Sequence, residues 1–139
     1  MITIRAKTSK DIAAIRHVLE MALGQASEAR LVEALRQIDA LITSLVAVEK
    51  EQIVGHIAFS VFIESLHATA KVVALAPLAV LPTHQRRDIG SELVRRGLTR
   101  CRRAGHRVVL VLGEPAFYHR FGFIKASLHR FLLSLRCSR

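Results

Sequence analysis

Two prolines bracket the apolar run Ala76-Pro77-Leu78-Ala79-Val80-Leu81-Pro82, and they constrain the fold more than any other feature of the chain. The run has the composition of a strand, yet each proline deletes a backbone donor, so it cannot pair on both sides along its whole length. A bulge, or a strand that parts from one neighbour, is predicted there. Directly after it, Gln85-Arg86-Arg87-Asp88-Ile89-Gly90 leads into Ser91 to Leu98, where apolar residues recur at helical spacing. A loop that opens a helix offers unpaired N–H groups and the positive end of a helix dipole, which suits a pyrophosphate.

The rest of the chain supplies a framework around this segment. Met1 to Arg5 reads as a first strand, after which Ser9 is expected to cap a helix beginning near Lys10 or Asp11, with Ile12, Ile15, Val18, Leu19 and Ala22 on its inner face. Ser27 starts a second predicted helix with Leu31, Leu35 and Ile38 as its buried stripe. Ser44 to Val48 and Ile53 to Phe62 read as a hairpin about Glu49-Lys50-Glu51-Gln52, and Val72 to Leu81 as the strand that carries the prolines. Val108 to Leu112 is a further strand, followed by the turn Gly113-Glu114-Pro115-Ala116-Phe117-Tyr118-His119-Arg120-Phe121-Gly122-Phe123.

These motifs carry a resemblance. The spacing Gln85-x-x-x-x-Gly90 after Leu78 to Pro82 closely resembles the acetyl-CoA signature of the GCN5-related N-acetyltransferases, and Tyr118-x-x-x-Gly122-Phe123 resembles the turn after that family's fifth strand. Ala-Pro-Leu-Ala-Val, Leu-Gly-Glu-Pro and Phe-Tyr-x-Arg-Phe-Gly-Phe are together similar to a subgroup of small bacterial predicted acetyltransferases. The resemblance implies a single α/β domain over residues 1–139. Its mixed, mostly antiparallel sheet is flanked by helices, in the order β-α-α-β-β-β-α-β-α. It further implies acetyl-CoA as cosubstrate and a small-molecule or peptide amine as acceptor, with the acetyl group passed directly.

Site residues follow from the same likeness. The backbone of Leu78, Ala79 and Val80 is expected at the thioester, the pyrophosphate on Arg86, Arg87, Asp88, Ile89, Gly90 and Ser91, and Gln85 as a brace for the loop. Tyr118 matches the family's general acid, since a phenol can protonate a departing thiolate. Glu114 is the candidate base, with Glu64, His56 and His67 as the other groups able to accept a proton. Asp88 departs from the family pattern, which has glycine there. Aspartate tolerates a left-handed backbone, but its charge opposes a phosphate; Arg86 or Arg87 is the expected counter-charge, and a degenerate member that keeps the fold with weak or no catalysis is the alternative reading.

Composition agrees with one domain and removes other classes. With 139 residues, 51% of them hydrophobic, the chain can bury one sizeable core. No apolar run reaches the roughly 18 residues of a membrane span, and the N-terminus does not read as a signal peptide. Cys101 and Cys137 form neither a disulfide framework nor a metal-ligand spacing, and Cys101 falls on a predicted buried helix face. A reduced, cytoplasmic protein is expected. Charge is divided unevenly: residues 1–82 hold 8 Lys/Arg and 8 Asp/Glu, whereas residues 83–139 hold 13 and 3 and so carry the whole formal +10. The basic half suits a polyanionic cosubstrate. A nucleic acid is the less favoured partner, because one tyrosine and no tryptophan leave base stacking to scattered phenylalanines.

After Phe123 the pattern breaks. Leu128, Phe131, Leu132 and Leu135 are spaced i, i+3, i+4, i+7, which predicts a short amphipathic helix, with one strand as the alternative. The family usually continues into two more strands, so a truncated, divergent tail is expected. It would leave a sheet edge open to a partner or to homodimerisation.

Overall fold

The computed structural model of the chain describes residues 1–23, 41–64, 71–106, 108–112, 115–125 and 131–135. The predicted second helix from Ser27, His67 and Glu114 all lie outside the described residues. Seven strands form one sheet in the order β1-β2-β3-β4-β5-β7-β6. They are β1 (Thr3–Ala6), β2 (Leu41–Glu49), β3 (Gln52–Glu64), β4 (Lys71–Val80), β5 (Val108–Leu112), β6 (Ile124–Lys125) and β7 (Phe131–Leu135). Among the described residues three helices accompany them: α1 (Ile12–Leu23), α2 (Ile89–Arg103) and the single turn α3 (Pro115–His119). β4 and β5 run parallel, and every other neighbouring pair is antiparallel. The fold is therefore α/β with a mixed, mostly antiparallel sheet.

Local chemistry explains the elements. β2 and β3 close through Lys50 and Glu51, both in the left-handed region at φ 50° and 65°, which matches a two-residue hairpin turn to the strand twist. The first helix is entered differently from expectation. Thr8, not Ser9, begins it: its N–H and hydroxyl donate to Asp11 Oδ2 at 2.7 and 3.1 Å, and a 3-10 turn over Ser9–Asp11 precedes α1. Ile15, Val18 and Leu19 are the buried face of α1, which packs against β3 and β4. α2 lies on the face of β3 that carries Gly55 and Phe59, where the Phe59 ring sits so close to Gly97 that a Cβ on that residue would overlap it.

The tail corrects the helical expectation. Ile124–Lys125 and Phe131–Leu135 are the strands β6 and β7, and β7 pairs with β5 from Val108↔Leu135 to Leu112↔Phe131. The edge of β5 that was expected to be open is thus covered by this strand. A strand paired on both sides is often largely apolar, and such a run mimics helical spacing when it is short.

Asp11 anchors the N-terminal corner. Arg5 grips its carboxylate with both nitrogens, at 2.7 and 3.1 Å, and the guanidinium holds that carboxyl well below the usual carboxylate range. The folded pKa is depressed, so the stabilisation is complete above about pH 4, where the unfolded carboxyl ionises, and is lost as pH falls below it. Asp11→Asn is expected to cost about 1–3 kcal/mol in urea unfolding at neutral pH, a difference that shrinks on acidification. An unchanged urea midpoint at neutral pH would contradict this.

Candidate functional site

The site begins where β4 leaves β5. Among the described residues the two pair in register only from Val72↔Val108 to Leu75↔Val111. Between Phe59↔Leu75 and Ile57↔Leu78, β3 advances two residues and β4 three, so the extra residue falls at Ala76-Pro77, where the ring nitrogen has no proton to donate. Beyond the bulge the strand keeps its antiparallel partner: the Leu81 N–H donates to the Val54 carbonyl at 2.8 Å. Alternation along an antiparallel ladder then turns the N–H and C=O of Ala79 toward β3, and those of Leu78 and Val80 away from it into the gap. Gln85 Nε2 donates to the Val80 carbonyl at 3.1 Å, which leaves the Val80 N–H facing the gap.

At the mouth of this gap stands the start of α2. Arg86 and Asp88 both adopt left-handed backbone, at φ 65° and 62°. A capping aspartate normally has extended backbone and bonds the first amides of its helix. Asp88, turned left-handed, makes no such bond, so the N–H groups of Ile89, Gly90 and Ser91 have no capping side chain and no intrahelical acceptor. Leu78, Val80, His84, Gln85, Arg86, Asp88, Ile89, Gly90, Ser91, Phe117 and Arg120 line a cavity of about 310 Å³ there. Gly90 keeps it open: a Cβ on Gly90 would meet nothing nearer than Leu78, Phe117 and Val80, each at 3.9 Å.

Two sets of side-chain contacts brace the loop from distant parts of the chain. Glu49, at the end of β2, accepts from Arg87 at 2.7 Å and lies 3.0 Å from His84 Nε2, and Arg87 holds its carboxyl below the ordinary range. Arg120 reaches from the turn after α3 to donate to Ser91 Oγ at 3.0 Å, with its guanidinium 4.9 Å from the centre of the Phe117 ring.

Splayed strands, a backbone donor in the gap and an open helix start make a site for an extended molecule ending in phosphates. Comparison with known proteins agrees. A family model for the acetyltransferase (GNAT) domain matches residues 3–126. The uncharacterised N-acetyltransferase YhbS of Escherichia coli is 35% identical over 135 residues, an alignment that covers 96% of this chain and 78% of that protein. The chain belongs to the GNAT acetyltransferase family. A GNAT acetyltransferase from Brucella melitensis, solved in complex with acetyl-CoA, superposes with a TM-score of 0.89 at 39% identity, covering 99% of this chain and 89% of that one. YhbS in complex with CoA gives a TM-score of 0.86 at 29% identity over the structural superposition, covering 96% of this chain and 81% of that one.

Most residues expected at the GNAT site come together. Leu78, Val80, Gln85, Arg86, Asp88, Ile89, Gly90 and Ser91 all line the cavity. Ala79 does not: it is 3% exposed and its backbone faces β3. Arg87 turns to Glu49 instead, so the expected counter-charge for Asp88 is spent elsewhere, and among the described residues the Asp88 carboxylate has no ion pair. Tyr118 stands one ring behind the cavity wall, edge-on to Phe117 at 4.9 Å between centroids, and burial pushes its hydroxyl up to about 12. His56 is corrected as a group titrating near neutrality. It is fully buried, bonded through Nε2 to Ser44 Oγ at 2.9 Å, and lowered to about 4 by burial and by the charge of Lys7. Phe117, Arg120 and Glu49 were not singled out, because their roles arise from contacts between elements far apart in sequence.

Proposed function

We propose that this GNAT chain is an acetyl-CoA-dependent N-acetyltransferase that passes the acetyl group directly to an amine. One observation supports this above all: the parting of β4 from β5 turns the Val80 N–H toward a slot that opens on the uncapped start of α2. The residues fit a CoA thioester, since the amides of Ile89, Gly90 and Ser91 and the guanidinium of Arg120 suit a pyrophosphate, and the free amides in the gap suit a pantetheine arm. Acetyl-CoA, when bound, supplies an acetyl group activated as a thioester.

The chain's own groups have three tasks. The Val80 N–H holds the thioester oxygen, where negative charge grows during attack. Tyr118, kept protonated throughout the neutral range by burial, holds the proton that the departing sulfur takes. Glu114, two residues past the end of β5, is assigned the proton released by the amine. No covalent relay through the buried thiol is needed: Cys101 is fully buried and pushed up to about 12, so it stays an inert thiol in the core. A small molecule or a peptide amine is the proposed acceptor.

Asp88 lowers cosubstrate affinity in this scheme. Its carboxylate is exposed and beside the phosphate cavity, where a like charge at about 5 Å costs on the order of 1 kcal/mol in a largely aqueous dielectric. Asp88→Asn retains a side chain tolerant of the left-handed region and should tighten CoA binding about five-fold in calorimetry. Equal affinities would dispose of the repulsion. Tyr118→Phe tests the chemistry: free thiol release with an active amine should fall about a hundred-fold, while the CoA dissociation constant stays within about two-fold. Unaltered turnover in that variant would remove Tyr118 as the acid, and a native protein that binds no CoA would remove the proposed function itself.

A further inference from the structure

Every exposed residue of α2 is an arginine: Arg95, Arg96, Arg100 and Arg103. Its apolar residues Ile89, Leu93, Val94, Leu98 and Cys101 are buried on the side that packs on the sheet. At 3.6 residues per turn, Arg96, Arg100 and Arg103 fall within an arc of about 60° and span roughly 10 Å of the axis. Arg95 lies about 100° round from that stripe, on the flank that carries Arg120 and Phe121. The surroundings of the two groups differ. Arg95 pairs with Glu92 at 2.8 Å and stands over the Phe121 ring, whereas among the described residues Arg96, Arg100 and Arg103 have no ion pair. None of the three lines the cavity at the start of α2, so the stripe is separate from the proposed cosubstrate site.

We infer that the stripe Arg96, Arg100 and Arg103 is a docking surface for double-stranded RNA, which it holds by the phosphates. Charge complementarity selects an anionic polymer, because like charges set this close repel one another until a counter-charge spans them. Arginine grips phosphate through two parallel hydrogen bonds, and Lys125 is the only lysine among the 13 Lys/Arg of residues 83–139. Contacts of this kind need no base stacking, so the scarcity of aromatic residues, which disfavours single strands, leaves a duplex open. An anionic membrane fits less well, since an interfacial helix turns an apolar face to lipid and that of α2 is taken up by the sheet. An acidic protein also fits less well, because protein interfaces draw their affinity from apolar and aromatic anchors and the stripe has none. The choice of RNA over DNA follows from shape. The major groove of B-form DNA takes a whole helix, but α2 is half embedded and presents a shallow surface, which suits the wide, shallow minor groove of an A-form duplex with its phosphates and 2′-hydroxyls. With only arginines in the stripe, binding is set by duplex shape and not by sequence.

Fluorescence anisotropy of a labelled RNA duplex of about 20 base pairs, titrated with the full chain at several salt concentrations, tests the surface. A dissociation constant on the order of 10 μM is expected near physiological salt, weakening steeply as salt rises. Combining Arg96→Gln, Arg100→Gln and Arg103→Gln should lower the slope of log K against log salt by about two to three and weaken low-salt binding about a hundred-fold. Calorimetry on the same variant should find CoA affinity within about two-fold of the native value. Thermal melting checks its folding; if the combined variant melts early, the three single variants, each expected to lower the slope by about one, carry the same test. Lys10→Gln with Lys50→Gln, at two exposed positions away from α2, controls for net charge and should leave the slope nearly as it was. Absence of binding at low salt, or a slope that the arginine variants leave intact, would overturn the surface. An equal fall in slope from the lysine control would overturn it too, by assigning the effect to net charge alone. Binding to a DNA duplex of the same sequence, or to anionic vesicles, as tight as to RNA would overturn the choice of partner. None of these results bears on acetyl-CoA as cosubstrate, which the calorimetry reads separately.

Discussion

Loss of pairing between β4 and β5 beyond Leu75 is the constraint on which the rest of this structure depends. Two parallel strands at the centre of a sheet normally stay paired, because a backbone donor left without a partner costs about 1–3 kcal/mol. Here Pro77 supplies no donor, and the bulge at Ala76-Pro77 carries the strand toward β3 alone. The opening is stabilised from elsewhere. Gln85 satisfies the Val80 carbonyl, and Glu49 ties His84 and Arg87 to the end of β2. The amides that remain free are the ones the proposed function gives to a thioester carrier, so the unpaired stretch and the proposed site are the same residues.

Electrostatics follows the same geometry. The second half of the chain holds all of the net charge, and the structure sorts its arginines into distinct tasks. Arg87 is spent on bracing the phosphate loop, whereas Arg120 lies over the start of α2 and Arg95 one turn further along. Asp88 opposes this field. Its left-handed backbone keeps the helix start uncapped, so the residue that adds unfavourable charge also leaves the amides open.

Much of the fold was legible because local chemistry and global architecture agree. The two prolines announced the bulge, the hairpin closed at the expected residues, and the loop before Gly90 opened a helix as read. What escaped the sequence are contacts between residues far apart in it: Glu49 with His84 and Arg87, 35 and 38 residues away, and Arg120 with Ser91, 29 away. No periodicity encodes those. Phe131 to Leu135 was read first as helical for a different reason: four of its five residues are apolar, and so short a run fits helical spacing as well as strand alternation. Arg87 and Ala79 show the limit of a motif: it names a segment, but the alternation of the strand and the competition among acceptors decide which of its residues face the ligand.

Residue-resolved amide exchange, followed by NMR with and without CoA, tests the parting of β4 from β5 most directly. The account predicts rapid exchange at Leu78 and Val80 in the free protein and protection of both when CoA is added, with Ala79 and Leu81 slow in either state because they already bond β3. A Val80 amide that is slow in the free protein, or that stays fast when CoA is bound, would contradict it.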